Sequence, residues 1–242
     1  MPHTLVVLAD AHVGPGPSPA EASLLAFLDL VPSRGDALLI GGDLFQFWFA
    51  WRHAIPRRAF PVAARLAALA RRVPVMIVGG NHDRWGAPFW NEVPGIRYHP
   101  RSLRFPVGGR RVLAIHGDGV AARRGVRPAL QRMVNHPATS AVYRWVHPDV
   151  GVPLAHGAAP LLGGGPATAA RRAERARAQR AWAEAELAED PSTDLLIMAH
   201  THVPALLEVG DGRTYLNPGA WAEGLRYAVV SEPTIELLQF DG

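Results

Sequence analysis

The stretch TLVVLADAHVG, residues 4–14, contains the pattern on which the fold of this chain depends. Residues 4–9 form a short apolar run, which predicts a buried β-strand. Asp10 and His12 follow this run directly and stand before a glycine. Ligands bind at the carboxyl ends of strands in open α/β sheets, so this position predicts a functional role for both side chains.

The same arrangement occurs four more times along the chain. Short apolar runs predict strands within LLIGGDLF, MIVGGNHD, LAIHGD and LIMAHTH, at residues 38–45, 76–83, 113–118 and 196–202. The polar residues that follow these runs are Asp43, then Asn81, His82 and Asp83, then His116, and finally His200 and His202. Neighbouring glycines allow the tight turns and the close backbone approach that a binding site needs.

Helical patterns separate the first strands. Ser18 is placed to cap a helix that has Pro19 at its first position and Glu21 three residues after the cap. A second amphipathic pattern covers residues 59–72. Towards the C-terminus, paired apolar runs predict antiparallel hairpins, one of them around the glycines of residues 210–212. This order of elements predicts an α/β fold with layered sheets.

The length of 242 residues suits one domain with its own core. Residues 118–190 contain no convincing strand, whereas residues 168–189 are rich in strong helix formers. We therefore predict a single domain over residues 1–242, with a helical cap at residues 118–190 inserted between two core strands.

The composition narrows the chemistry. Cysteine is absent, which excludes disulfides and thiolate metal sites. All 25 basic residues are arginine, and the net charge is +4. GC-rich codon usage explains this bias, although an arginine surface also suits phosphorylated partners. No signal segment or membrane-spanning run is evident, so the expected compartment is the cytoplasm. No feature of the sequence indicates an oligomeric state.

The polar residues at the strand ends gain meaning as a set. Any one of them has an ordinary explanation, as a structural histidine or an aspartate in a turn. Five strand ends together would crowd carboxylates and imidazoles into one dry crevice. The repulsion and desolvation of Asp10 and Asp43 would be costly without cations, so the set predicts a metal site.

In order, the Asp-x-His, Gly-Asp, Gly-Asn-His-Asp, His-Gly-Asp and His-x-His motifs resemble the calcineurin-like metallophosphoesterase superfamily, as does the turn at residues 217–219. The resemblance implies a four-layer α-β-β-α sandwich and two divalent cations. One cation would be bound by Asp10, His12, Asp43 and His202, and the second by the bridging Asp43 with Asn81, His116 and His200. Oxygen and nitrogen ligands suit Mn²⁺, with Fe or Zn as alternatives.

The resemblance also implies catalytic roles for two neighbouring residues. His82 has no ligand role and would stabilise developing charge or protonate the leaving oxygen. Asp83 would fix the tautomer of that imidazole or support the ligands from behind.

Two features bear on the substrate. The segment GDLFQFWFAW, residues 42–51, is dense in aromatic residues, and Phe45 and Trp48 are predicted to line an apolar wall beside the metals. Arginines at the start of the cap are predicted to bind substrate, namely Arg123, Arg124 and Arg127. The segment resembles the UDP-2,3-diacylglucosamine diphosphatase branch, although Gln46 and His82 depart from its pattern. That branch implies cleavage of a pyrophosphate into UMP and a lipid phosphate.

Other functions stay open at this point. A phosphatase or phosphodiesterase of a small soluble ester or cyclic nucleotide would use the same residues. A metal-dependent nuclease would suit the basic composition, but arginine is interleaved with glutamate in residues 169–189, so nucleic acid is not the expected partner. A binding module without activity would be expected to lack some ligands. A lipid-linked substrate is compatible with peripheral contact at the inner face of a membrane.

Overall fold

The computed structural model describes residues 2–14, 16–120, 133–134, 136–158 and 168–242. Strands within this part of the chain are β1 (Leu5–Leu8), β2 (Ala37–Ile40), β3 (Val75–Val78), β4 (Ile96–His99), β5 (Ser102–Val107), β6 (Arg110–Ile115), β7 (Leu195–Ile197), β8 (Ala205–Val209), β9 (Arg213–Asn217), β10 (Arg226–Val230) and β11 (Ile235–Gln239). Helices are α1 (Pro19–Arg34), α2 (Phe60–Leu69), α3 (Ala87–Trp90), α4 (Pro137–Tyr143), α5 (Pro148–Ala158) and α6 (Ala169–Glu189). One-turn 3₁₀ helices cover Arg57–Ala59 and Trp221–Glu223.

The strands form two sheets. The six-stranded sheet has the order β11-β10-β1-β2-β3-β4, in which β1 to β4 are parallel and β10 pairs antiparallel with β1. The five-stranded sheet has the order β5-β6-β7-β9-β8, in which β6, β7 and β9 are parallel. All five strands that precede the predicted site residues are parallel to a neighbour, so their carboxyl ends lie at the rims of the sheets.

The layers follow from the alternation of side chains along each strand. Leu5 and Val7 of β1 face the second sheet in a shared core, whereas Val6 and Leu8 pack with the helices α1 and α2. On the far side, the second sheet packs against Ala183 and Leu187 of α6. The resulting order is helix, sheet, sheet, helix, which confirms the predicted α/β sandwich.

The sequence placed most elements correctly. The Ser18 hydroxyl accepts a hydrogen bond from the Glu21 amide at 3.1 Å and caps α1, as its position indicates. The edge strands β4 and β5 were missed, because their buried residues alternate with exposed ones and give no continuous apolar run. Among the described residues, no helix combines the length and apolar character that crossing a bilayer requires.

The boundaries predicted for the helical cap need correction. The described part of residues 118–190 is helical, and α4 and α5 lie beside the aromatic segment that follows β2, where Tyr143 packs against Phe47 and Phe49. However, the C-terminal half of α6 is the outer helical layer of the sandwich. That half belongs to the core rather than to a cap.

Candidate metal centre

The carboxyl ends of β1, β2 and β3 meet those of β6 and β7 where the two sheets adjoin. Three overlapping groups of side chains there bring their donor atoms within 4.8 Å of one another. These groups are Asp10 with His12 and His202, His12 with Asp43 and His82, and Asp43 with His116 and His200. Ligands from both sheets, and from distant parts of the chain, therefore form one cluster.

The backbone at this rim is strained. Asp10, His12, Asp43, His200 and His202 all have positive φ, between 45° and 69°. A non-glycine residue in this left-handed region is uncommon, and each costs on the order of 1–3 kcal/mol unless neighbouring contacts compensate. Such strain accumulates at functional sites, since it directs side chains where relaxed strands would not.

Asp43 occupies the middle of the cluster. Its Oδ2 lies 3.2 Å from Nε2 of His116 and 4.0 Å from Nε2 of both His12 and His82. Its Oδ1 accepts a hydrogen bond from the His82 amide at 2.9 Å. A Cβ on Gly80 would lie 2.1 Å from Oδ1, so only glycine leaves room for this carboxylate. Asp43 thus has three imidazoles within 4.0 Å of one carboxylate oxygen, and it belongs to two of the three groups.

The second part of the cluster lies closer to solvent. The Nε2 atoms of His12 and His202 are 3.2 Å apart, and Nε2 of His202 lies 3.6 Å from Oδ1 of Asp10. The other oxygen of Asp10 accepts a hydrogen bond from the His200 amide at 3.0 Å. Asp10 therefore anchors the loop after β7 while its free oxygen faces two imidazoles.

Hydrogen bonds to carbonyl groups fix the direction of two imidazoles. Nδ1 of His116 lies 2.8 Å from the carbonyl of Gly41, and Nδ1 of His82 lies 2.8 Å from that of Gln46. Because a carbonyl only accepts, each Nδ1 carries the proton and donates it. The Nε2 atom of each ring consequently faces the cluster, which is the arrangement that metal-binding histidines use.

The donor set fits divalent cations. Oδ1 of Asp10 is buried and has no hydrogen-bond partner among the described residues, and the buried Nε2 of His116 has only the Asp43 carboxylate beside it, at 3.2 Å. Buried polar atoms are normally satisfied, so both atoms are placed to bind a group that the protein itself does not supply. Imidazole nitrogens and carboxylate oxygens without sulfur are suitable donors for Mn²⁺, Fe or Zn.

Burial and neighbouring charges shift the pKa values of several groups in the cluster. Burial raises the pKa of Asp10 to about 6. Burial would also raise the pKa of Asp43, but the imidazoles of His116, His82 and His12 together outweigh burial and hold that pKa well below its usual value. Burial lowers the pKa of His12 and His200 to about 4, so both rings are neutral near pH 7 and have lone pairs to donate.

The sequence model of the family described as "Calcineurin-like phosphoesterase" matches residues 3–204. The chain belongs to this family. It is therefore a metal-dependent hydrolase of phosphate esters, and the cluster lies where such an enzyme needs its metal ligands.

Relatives and solved structures agree with the family. The phosphoesterase is 26% identical over 251 residues to "UDP-2,3-diacylglucosamine hydrolase" of Porphyromonas gingivalis, which covers 95% of this chain and 94% of that protein. The protein of that name from Bordetella parapertussis is 29% identical over 217 residues, with 86% and 81% covered. Yfce, a phosphoesterase from E. coli, has a TM-score of 0.50 at 17% identity and covers 98% of this chain and 93% of its own. Hypothetical protein PH1004 from Pyrococcus horikoshii OT3 has a TM-score of 0.53 at 14% identity, with 98% and 87% covered, and these two structures share the fold.

Asn81 and Asp83, both predicted for the site of the phosphoesterase, lie in the turn after β3. Asn81 is exposed on the turn after β3, and its amide makes no hydrogen bond to the cluster among the described residues. Asp83 does not contact the imidazole of His82. It is buried and accepts hydrogen bonds from the amides of Gly80 at 2.7 Å and Leu44 at 2.8 Å. Asp83 therefore holds the backbone around Asp43, and the carbonyl of Gln46 rather than Asp83 accepts from the imidazole of His82. The alternative role predicted for Asp83, supporting the ligands from behind, stays a prediction.

The predicted aromatic wall also requires correction. Phe45 and Trp48 are each 1% exposed and stack on each other in the core of the first sheet, with Trp90 beside them. Buried this fully, they offer no surface to a substrate. Phe47 is instead half-buried and meets Tyr143 and the imidazole of His156 from the cap helices. The predicted substrate residues Arg123, Arg124 and Arg127 lie outside the described residues.

Several supporting residues of the phosphoesterase escaped sequence analysis. Nδ1 of His202 lies 2.9 Å from Oε1 of Glu223, a residue more than 20 positions further along the chain. The loop of residues 199–202 is held by Gln179 of α6, whose amide donates to the Ala199 carbonyl at 2.9 Å, and by the buried Asn217. In the sequence, only the turn at residues 217–219 indicated a role for Asn217. No motif indicated a role for Glu223 or Gln179.

Proposed function

We propose that this phosphoesterase uses two divalent cations to cleave the pyrophosphate bond of a UDP-diacylglucosamine-like nucleotide, releasing UMP and a lipid phosphate. The observation that supports the two-metal reading is that Asp43 belongs to two of the candidate ligand groups, one with His12 and His82 and the other with His116 and His200. The substrate reading is supported by relatives named UDP-2,3-diacylglucosamine hydrolase that align along nearly the whole chain.

In this proposal the ligands divide into two sets. Asp10, His12 and His202 hold one cation, Asp43 bridges, and the second cation takes His116, His200 and Asn81. Asn81 would turn inward from its exposed position to complete the second set. Bound cations of this kind clamp a phosphoryl group and lower the pKa of a water so that it can attack at neutral pH. Mn²⁺ is the proposed metal, with Fe or Zn as alternatives.

His82 supplies the acid in this proposal. Its Nδ1 donates to the Gln46 carbonyl, so the ring cannot turn, and its Nε2 lies 4.0 Å from Oδ2 of Asp43 at the edge of the cluster. The side chain is half-buried, which leaves one face open to a substrate. In its imidazolium form, Nε2 would donate a proton to the leaving oxygen or stabilise the charge that develops there.

The cap helices provide the surface on which the acyl chains of the proposed substrate would lie. Exposed apolar side chains lie on α4, α5 and the turn between them, namely Val142, Trp145, Val150 and Leu154. Tyr143 of α4 connects this surface to Phe47 near the metal centre. Apolar groups so close to the site suit a substrate with acyl chains and peripheral contact with the inner face of a membrane. Arg123, Arg124 and Arg127 are proposed to bind the phosphates.

The test compares substrates with the Mn²⁺-loaded enzyme. UMP release from UDP-2,3-diacylglucosamine is measured beside hydrolysis of cyclic nucleotides, a soluble phosphomonoester and single-stranded DNA. The proposal predicts that the lipid nucleotide has the highest kcat/KM. Absence of UMP together with strong turnover of another substrate class would reject the lipid nucleotide as the substrate. It would not affect the assignment as a phosphoesterase.

A further inference from the structure

Glu223 stands out because it contacts a metal-ligand candidate without belonging to any motif of the sequence. Its Oε1 lies 2.9 Å from Nδ1 of His202, and the opposite nitrogen of that ring, Nε2, points to Asp10 and His12. A carboxylate only accepts when ionised, so Nδ1 carries the proton and Nε2 presents its lone pair. The other carboxylate oxygen of Glu223 pairs with Arg172 in the first turn of α6.

The position of Glu223 is rigid although its side chain is partly exposed. It ends the one-turn helix Trp221–Glu223, whose amides bind the backbone at the end of β1: Trp221 N donates to the Ala9 carbonyl at 2.9 Å and Ala222 N to that of Asp10 at 3.1 Å. The indole of Trp221 is buried and donates to the Ala20 carbonyl at 2.8 Å. The loop that carries Glu223 is thus fixed to the strand that carries Asp10.

We infer that Glu223 is a positioning residue for the cation held by Asp10, His12 and His202, and that Arg172 holds Glu223 in place. The inference rests on the proposed two-metal function. Carboxylates behind a metal-binding imidazole fix its orientation and raise its basicity, and removing one typically costs about 10–100-fold in metal affinity or activity. His82 and His116 have backbone carbonyls in the equivalent place, so His202 alone of these three depends on a side chain.

The experiment measures Mn²⁺ binding by calorimetry and by the magnetic-resonance signal of a coupled Mn²⁺ pair, in the full-length wild type, Glu223→Ala and Glu223→Gln. We expect two sites in the wild type, and in Glu223→Ala one site weakened about 10–100-fold while the other is unchanged. Glu223→Gln keeps an acceptor for Nδ1 but loses the charge, so its affinity should fall between the two. Glu208→Ala is the matched control, since Glu208 is exposed on β8.

Thermal unfolding in EDTA separates positioning from stability. The metal-free Glu223→Ala variant should unfold close to the wild type, and only the increase produced by Mn²⁺ should shrink. If Glu223→Ala and Glu223→Gln both bound Mn²⁺ at both sites with the affinity of the wild type, the inference would be overturned. If Glu223→Ala does not fold, Glu223→Gln still provides a test. Mn²⁺ affinity equal to that of the wild type in Glu223→Gln would show that the charge of Glu223 does not contribute to metal binding. A wild type that binds no Mn²⁺ pair would instead refute the proposed function.

Discussion

Strand β6 has a charge pair near each end, and the two pairs lie in opposite environments. At its amino end, Nη2 of Arg111 lies 2.6 Å from Oδ1 of Asp194, with side chains 57% and 30% exposed. Just beyond its carboxyl end, Nε2 of His116 lies 3.2 Å from Oδ2 of Asp43, which follows β2, with side chains 1% and 3% exposed. The same strand therefore has a hydrated ion pair at one end and a buried pair at the other.

Burial decides what each pair does. Exposed ion pairs are screened by water and are worth about 0–1 kcal/mol, so Arg111 and Asp194 only adjust stability. For a buried pair, desolvation can exceed the attraction between the charges. Burial would lower the pKa of His116, yet the carboxylates of Asp43 and Asp10 raise it to about 10. The buried carboxylates thus favour positive charge beside them, which is what a cation site requires.

Removing the shared carboxylate should give the largest effect. We expect Asp43→Ala to reduce hydrolysis of bis-p-nitrophenyl phosphate with Mn²⁺ to background, because both proposed cations lose a ligand. The measurement is steady-state turnover together with metal content. Asp29→Ala, on the exposed face of α1, is the control and should retain full activity. Unchanged turnover in Asp43→Ala would defeat the bridging role.

Removing the imidazole at the edge of the cluster should separate catalysis from metal binding. In His82→Ala we expect two cations per chain, as in the wild type, while kcat falls about 10²–10⁴-fold, the usual contribution of a general acid. Metal analysis and turnover are measured on the same samples, with the exposed His53→Ala as the control. Loss of a cation in His82→Ala would make His82 a ligand instead.

Bound cations should stabilise the folded protein against thermal unfolding. A ligand at about 1,000 times its Kd adds about 4 kcal/mol, and for a chain of this size each kcal/mol raises Tm by about 2–4 °C. We therefore expect saturating Mn²⁺ to raise the Tm of the EDTA-treated protein by about 8–16 °C for each occupied site. Calorimetry of the wild type beside Asp43→Ala provides the measurement. The same Tm with and without Mn²⁺ would contradict a cation-dependent cluster.

Removing the exposed ion pair between Arg111 and Asp194 should give the smallest effect. The hydrogen bond from Arg111 lowers the pKa of Asp194 from 3.8 to about 2. A depressed pKa stabilises the fold above pH 3.8, and this contribution is lost as the pH falls towards 2. Asp194→Asn should cost less than about 1 kcal/mol at pH 7, and the difference from the wild type should narrow below pH 4 in urea titrations. A larger cost, or one independent of pH, would show that this pair is not a simple surface pair.

The sequence predicted the strands that deliver the site because buried parallel strands give continuous apolar runs, as in β1, β2 and β3. Their polar successors, including Asp10, Asp43 and His116, were identified by position alone. The edge strand β4 was missed, because its alternating pattern is short and weak. Local patterns are therefore reliable where burial is complete, whereas the alternating strands β4 and β5 gave no continuous apolar run to identify them.

Three assignments of side chains needed the tertiary structure. Phe45 and Trp48 follow Asp43 closely, but the direction in which each ring points depends on the helix that packs behind it, and both entered the core. Asp83 neighbours His82 in sequence yet binds the amides around Asp43, since the loop after β3 folds back on the loop after β2. Adjacency along a loop does not determine contact, because φ and ψ vary freely there.

By itself, the sequence determined the family of the protein, the order of strands and helices, and the residue types that face a cation. The structure alone decided that two different sheets contribute to one cluster, and that Glu223 and Gln179 support ligands far from them in the chain. The physical reason is that apolar periodicity records whether a residue is buried. The partner of a polar group depends instead on how distant segments meet, and no local pattern encodes that meeting.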